Sequence, residues 1–485
     1  MKTLRWAIAS SLVGVLFAGT AMAQVTMSSP VLQPSSIQQM AFQSDDSAGY
    51  AVADPAPAAA AVPVSPSNQP PAPTAAKADA KPAAEAPKDD VKKDEEKKED
   101  DKPAEEGPVK LFHGPWLDCH HLDIRGNLEA GYTYNSDSPI SKINGPVGYN
   151  DRSNEVILNQ LNLTAERLTK IENDCGSDYG YRADMMFGTD RRFVQTAAGT
   201  DWDSKWNLGS KYYGLAMPQL YGDLAIDKWL FRFGHFYAPV GAEVANSPAD
   251  NFFYSHTYAF LYAEPTTLTG GYATYKVNDR LSVNGGLDTG WNEWTSLNQM
   301  NYFFGGVWTS KDQKTTLNQE FFIGDTQGPG IVSTRFLSNT VASQKIGEKW
   351  KYTAELNFAN DSNQLGNGPA SWWAWGNYLT YDINDCWAAG IRYEYMEDLS
   401  GAVVATIGPS DLPNAPPIAT PGSQWNDLTM GLQYKPNKNV LIRSEVRWDW
   451  ANNTVEAQRI AGGKAFNDGN ANGQFLWGND IVIKF

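Results

Sequence analysis

Between Val440 and Trp450 the chain alternates. Val440, Ile442, Val446, Trp448 and Trp450 fall on one side of an extended backbone, and Arg443, Glu445, Arg447 and Asp449 fall on the other. Successive side chains of a strand point to opposite faces, so this segment reads as a strand with one apolar and one charged face. About sixteen segments, from Leu122–Tyr134 to Phe475–Phe485, carry the same period, each near the roughly 9–11 residues a tilted strand needs to cross a bilayer. Past the first two dozen residues, no stretch approaches the roughly 20 apolar residues of a membrane-crossing helix.

The connections sort into two length classes. Asp227-Lys228, Asn278-Asp279, Lys311-Asp312, Gly347-Glu348, Asn384-Asp385 and Pro436-Asn437 mark tight turns. Asn, Asp and Gly there accept the positive φ of hairpins. Stretches between them, such as 189–211, 238–265, 397–426 and 451–474, are much longer. Transmembrane barrels have short turns on one side and long loops on the other, whereas a soluble sandwich or propeller has no reason to sort its loops. Residues 111–485 are therefore expected to be an all-β, transmembrane, antiparallel β-barrel of about sixteen strands in an outer membrane, in contact with its lipid. An even strand count puts both termini on the short-turn, periplasmic side. Ile481, Ile483 and Phe485 alternate up to a terminal aromatic, the pattern that the barrel assembly machinery reads. Aromatic rings with a polar tip settle at membrane–water interfaces. Tyr132, Tyr134, Trp291, Trp308, Trp350, Tyr352, Trp387, Tyr434, Trp448 and Trp450 lie near strand ends and are expected to form girdles there.

The preceding residues have another character. Lys2 and Arg5, the apolar run Trp6 to Phe17, and Ala21-Met22-Ala23 predict a signal peptide over residues 1–23. Residues 24–107 contain an Ala/Pro tract, Ala51 to Pro87, and a mixed-charge run, Lys88 to Lys102. Such composition cannot bury enough apolar surface to offset the entropy of ordering, so a disordered periplasmic spacer is expected. The spacer could also tether the barrel to the cell wall, which gives a second reading: a structural barrel that anchors the envelope.

An Arg or Lys facing lipid at mid-depth costs about 2–4 kcal/mol, so in-strand charges should point inward. Asp123, Arg125 and Glu129 share one parity, as do Arg182 and Asp184, Arg392 and Glu394, and the four charges of Val440–Trp450. These are the candidate pore-lining residues, and salt-bridged wall packing remains the other reading for each. A barrel this wide encloses water rather than a packed core. Within 238–265, Asn251-Phe252-Phe253-Tyr254-Ser255-His256 and Tyr258, Phe260 and Tyr262 are too aromatic for a freely solvated loop. The loop is expected either to fold inward and narrow the lumen, bringing Glu243, Asp250 and Glu264 to the constriction, or to cover the mouth or a neighbouring subunit.

Cys119 and Cys175 flank neighbouring strands on the periplasmic side, where an oxidising compartment permits a disulfide between them, and Cys386 is left over. His113 and Cys119-His120-His121 match no zinc spacing. No nucleophile motif, zinc-protease motif or phosphate loop is present, so no catalytic residue, metal or cofactor is assigned. The net charge of −16 argues against nucleic acid as a partner, and residues 111–485, with 40 acidic and 28 basic side chains, predict a mild preference for cations.

Several stretches resemble one family. Phe233-Gly234-His235-Phe236-Tyr237-Ala238-Pro239-Val240-Gly241 is similar to the strand-to-loop stretch of the OmpL-like β-barrel porin family, frequent in planctomycetes. Asn251-Phe252-Phe253-Tyr254-Ser255, Glu264-Pro265, Gly131-Tyr132-Thr133-Tyr134-Asn135 and Phe187-Gly188-Thr189-Asp190 look similar too. The resemblance covers roughly residues 111–485. It implies an outer-membrane porin passing small hydrophilic solutes or ions, and names no solute. Trimers are common among sixteen-stranded porins, so by analogy a homo-oligomer is open.

Overall fold

A computed structural model describes residues 110–171, 176–195, 203, 206, 212–294, 300–328, 331–363, 368–404, 422–453 and 464–485. The signal peptide and spacer expected over 1–107, and Cys175 of the expected disulfide, lie outside the described residues. Cys119 is exposed at the end of a short helix, α1 (Pro115–Cys119).

Sixteen strands follow. They are β1 Asp123–Asn135, β2 Val156–Arg167, β3 Ser177–Gly188, β4 Gly214–Ile226, β5 Trp229–Tyr237, β6 Thr267–Asn278, β7 Leu281–Trp291 and β8 Asn301–Thr309. Then come β9 Thr315–Gly328, β10 Ile331–Ile346, β11 Trp350–Asp361, β12 Ala370–Asp382, β13 Trp387–Asp398, β14 Ser423–Asn437, β15 Val440–Asn453 and β16 Gly473–Lys484. A one-turn helix, α2 (Arg191–Val194), follows β3. Each strand pairs antiparallel with its neighbours in sequence, and β1 pairs with β16, so the sheet is a closed barrel without edges. Strand number and order are those the alternation predicts.

The outer wall is a lipid surface. Leu224, Leu287, Leu317, Ile323, Met430, Leu432 and Ile442 are exposed on it. Aromatic pairs gather at its two rims. Trp229–Tyr275, Trp350–Tyr381 and Trp387–Tyr434, with ring centroids 4.5–4.7 Å apart, lie at the short-turn end. Trp373–Tyr395 and Trp448–Phe475, at 4.9 and 5.0 Å, lie at the long-loop end.

Trp291 departs from the expected girdle. A bulge lies between the pairs Leu268–Trp291 and Gly270–Asp288. Gly290, at φ 121°, supplies the backbone that most residues avoid. The extra residue reverses the side-chain parity and turns Trp291 inward, where it packs on the interior cluster and under Arg335, 4.7 Å from the ring.

Several strands also outrun their sequence boundaries at the long-loop end. β14 begins at Ser423 rather than Asp427, and β15 continues to Asn453 rather than Trp450. Beyond the bilayer a ladder no longer needs an apolar outer face, so alternation ceases to mark it.

Candidate functional site

The segment between β5 and β6, residues 238–266, folds into the barrel. Wall charges hold it from both sides of its backbone. Arginines take its carbonyls. The Arg392 guanidinium donates to Ser255 O at 2.6 Å, Arg447 to His256 O at 2.6 Å, and Arg443 to Pro248 O and Phe253 O at 2.7 and 2.8 Å. Carboxylates take its N–H groups. Glu445 accepts from Tyr254 and Ser255 at 2.8 and 2.9 Å, and Glu394 accepts from Tyr258 and Ala259 at 2.6 and 2.7 Å. The Tyr258 hydroxyl donates to Asp449 at 2.7 Å. A loop inside a barrel has no ladder to satisfy its polar groups, and here charged side chains replace the ladder.

The same charges neutralise one another. Arg443 pairs with Glu129 at 2.7 Å and with Asp480 at 2.6 Å, spanning β15, β16 and β1. Arg447 pairs with Asp449 at 2.8 Å, and Arg392 reaches Asp427 at 3.4 Å. All these groups are buried. Arg182 pairs with Asp184 at 2.9 Å, and Asp184 accepts from loop residue Asn246 at 3.1 Å. Arg125 lies apart from the loop, paired with Asp123 and Glu166 toward the short-turn rim. Thus nine of the eleven strand charges singled out from parity sit in the clamp or its ion pairs, and Asp123 and Arg125 lie toward the rim, joined to Arg182 through Glu166.

Of the three loop acids, Glu243 is central. It accepts from His256 Nδ1 at 2.6 Å, the Tyr378 hydroxyl at 2.9 Å and Arg392 at 3.3 Å. Burial pushes this carboxyl up, but the His256 hydrogen bond and charge, with Arg392, outweigh burial and hold it at about 2. Glu264 is also buried, and it accepts from Asn357 at 3.3 Å and Asn339 at 3.4 Å. Burial raises its carboxyl well above the usual range, and the neighbouring Glu355 adds to the rise. Asp250 is exposed, in a vestibule also lined by Lys351, Asp382 and Lys435.

A second segment leans over the first. Tyr149, between β1 and β2, packs 4.2 Å from His256 and stacks 4.4 Å from Phe193 of α2. Nearby, Asp151 pairs with Arg192 at 2.9 Å and accepts from the Tyr212 hydroxyl at 3.0 Å.

The sequence reading missed two things. Toward the long-loop end the inward positions are apolar: Phe303, Phe322, Leu337, Trp372, Met396 and Trp425 form one buried cluster with Phe236 and Tyr258. The rule of polar-in, apolar-out fails there, and doublets such as Phe303-Phe304 and Trp372-Trp373 were the available signal. Inward Glu320, Glu355, Asn339, Asn357 and Tyr378 were overlooked too, although their strand parity was readable.

Among the described residues, no three His, Cys, Asp or Glu side chains are arranged to hold a metal ion. The family model described as putative β-barrel porin-2, OmpL-like, matches residues 121–485, which include every strand of the barrel. The chain belongs to this family. It is a porin of the outer membrane. No curated protein matches the chain. Among solved structures, the porin is similar to the outer membrane channel DcaP of Acinetobacter baumannii, at 12% identity and TM-score 0.48, covering 75% of this chain and 97% of that one. It is also similar to an anion-selective porin from Comamonas acidovorans (9%, 0.48, 75% and 99%) and to OmpT of Vibrio cholerae (10%, 0.45, 75% and 97%).

Proposed function

We propose that small hydrophilic solutes cross this porin passively, with no catalytic step, between the in-folded loop and the wall formed by β7–β9. One observation carries the reading. The loop is bonded most densely to β12–β15, also to β1, β2 and β3, and reaches β9, β10 and β11 through Asn318, Asn339 and Asn357; toward β7–β9 a cavity of about 300 Å³ remains, lined by Asn284, Val307, Asn318 and Glu320. Glu243 borders both this cavity and the vestibule near Lys351 and Lys435, so the two spaces lie on either side of one residue. Pinning by buried charges keeps the constriction in one place, as a fixed sieve requires.

The test is single-channel conductance of the refolded chain in a planar bilayer. Step-like conductance proportional to salt is expected. Val307→Trp, on the inner wall, should lower it by about half or more, because the indole fills the cavity. Val283→Trp, on the lipid face, should leave it unchanged. Equal conductance in Val307→Trp would place the path elsewhere in the lumen. A folded barrel without conductance would mean a plugged lumen.

A further inference from the structure

The two sides of this cavity differ in chemistry. Its loop side sets an apolar stretch, Pro239, Val240, Val244 and Phe260, beside Glu243, Glu264 and Asn246. Its wall side carries Glu320, Asn284 and Asn318. The hydrogen bonds fix how the amides face. Asn284 donates its NH2 to Glu320 Oε1 at 2.7 Å, and Asn318 donates its NH2 to Pro239 O at 3.5 Å. Each amide oxygen is then left over, and both are buried without a partner. Glu320 is fully buried, and its Oε2 has no partner either. With Glu320 ionised, these three atoms are acceptors only. The Tyr237 hydroxyl, also unpartnered at the cavity, has lone pairs to offer as well. No Lys or Arg lines the space.

A buried carboxylate oxygen left unsatisfied is costly, so this arrangement awaits a donor. Gly305 makes the room for it, because a Cβ there would collide with Glu320 Oε2 and with Gln319 O. The cavity volume corresponds to roughly ten waters, at about 30 Å³ each in the liquid, which is ample for an organic group.

We propose that this cavity is a subsite for an alkylammonium group of a permeating organic cation. The –NH3+ donates to Glu320 Oε2 and to the amide oxygens of Asn284 and Asn318, three donors to three acceptors. The hydrocarbon portion lies on Val240, Val244 and Phe260. An anion meets Glu320, Glu243 and Glu264 there with only hydroxyl donors such as Tyr237, and a bare inorganic cation leaves the apolar residues unused. The inference rests on the permeation path proposed above.

The test uses the full chain in a planar bilayer carrying potassium current, with n-butylammonium, ammonium, n-butanol or butyrate added singly. Butylammonium should reduce the current at a concentration at least about tenfold below that for ammonium, and butanol and butyrate should do nothing. Glu320→Gln, and Gly305→Ala, which displaces the carboxyl, should each raise the half-blocking concentration about tenfold or more, the scale of one charge-assisted hydrogen bond. Heat-modifiable migration checks that each variant folds. Equal potency of ammonium and butylammonium, or unchanged block in Glu320→Gln, overturns the subsite and leaves the pore intact. If the folded barrel conducts nothing, the path fails, and calorimetry of butylammonium with the detergent-folded barrel decides the subsite alone. Saturable heat lost in Glu320→Gln supports it, and absence of heat overturns it.

Discussion

Arg392, fully buried on β13, holds loop residue Ser255 by two contacts, to its carbonyl at 2.6 Å and its hydroxyl at 3.1 Å. The same guanidinium reaches Glu243 and Asp427. One wall cation thus ties the loop backbone to the constriction carboxylate.

Arg392→Leu is expected to release the loop rather than unfold the barrel. Removing one partner of a buried ion pair typically costs about 3–5 kcal/mol, because the other charge is stranded. The sixteen-strand ladder should survive and the loop should not. Protease cleavage within 238–266 and current noise should both rise. A quiet, protease-resistant variant would show that the remaining contacts suffice.

Gly241 stands at φ 86°, and a Cβ there would collide with Glu264 Oε1. Gly241→Ala should cost about 1 kcal/mol or more locally, from backbone strain alone, and should push Glu264 away from Asn339 and Asn357. Altered conductance with unchanged heat-modifiability is expected. Wild-type conductance would show that the loop absorbs the change.

Asp190, which precedes α2, accepts from Asn159 at 3.1 Å and Gln160 at 3.2 Å. Burial outweighs these bonds and raises its carboxyl to about 7. The unfolded value is about 3.9, so the folded state holds the proton more tightly. Stability from this group is present below about pH 4 and is lost as pH rises through about 7, on the order of a few kcal/mol. Protection factors around α2, with the intrinsic pH dependence of exchange divided out, should therefore be higher at pH 5 than at pH 8. In Asp190→Asn that difference should shrink. A steeper pH dependence in the variant would contradict the assignment.

Deleting residues 24–107 should leave single-channel conductance unchanged, because every strand and the clamp lie after them. Loss of envelope integrity in cells with normal conductance would favour the anchoring role of that segment. Mass mapping of the mature chain reads the Cys119–Cys175 pairing directly, and two free thiols would exclude it.

The barrel was legible because each of its signals is local. Alternation in Val440–Trp450 shows in eleven consecutive residues, and a turn such as Asp227-Lys228 shows in two. Closure follows once such strands number sixteen and lie in lipid. Inward parity also placed Arg443 and Glu445 on the inner wall, where they are buried. What those charges do there was not legible. Glu445 accepts from Tyr254, 191 residues away, and Arg443 donates to Phe253 at a separation of 190. No periodicity encodes such a pairing.

By itself, the sequence determined the number and order of the strands, the sorting of turns from loops, and, over most of each strand, which face meets lipid. The tertiary structure alone decided that the aromatic segment 238–266 lies inside, and that wall charges serve its backbone. It also decided that Glu320 keeps a free oxygen while Glu243 does not. The physical reason is that side-chain parity is a property of one strand. The satisfaction of a buried charge depends on every element that packs around it, and only closure of the barrel brings those elements together.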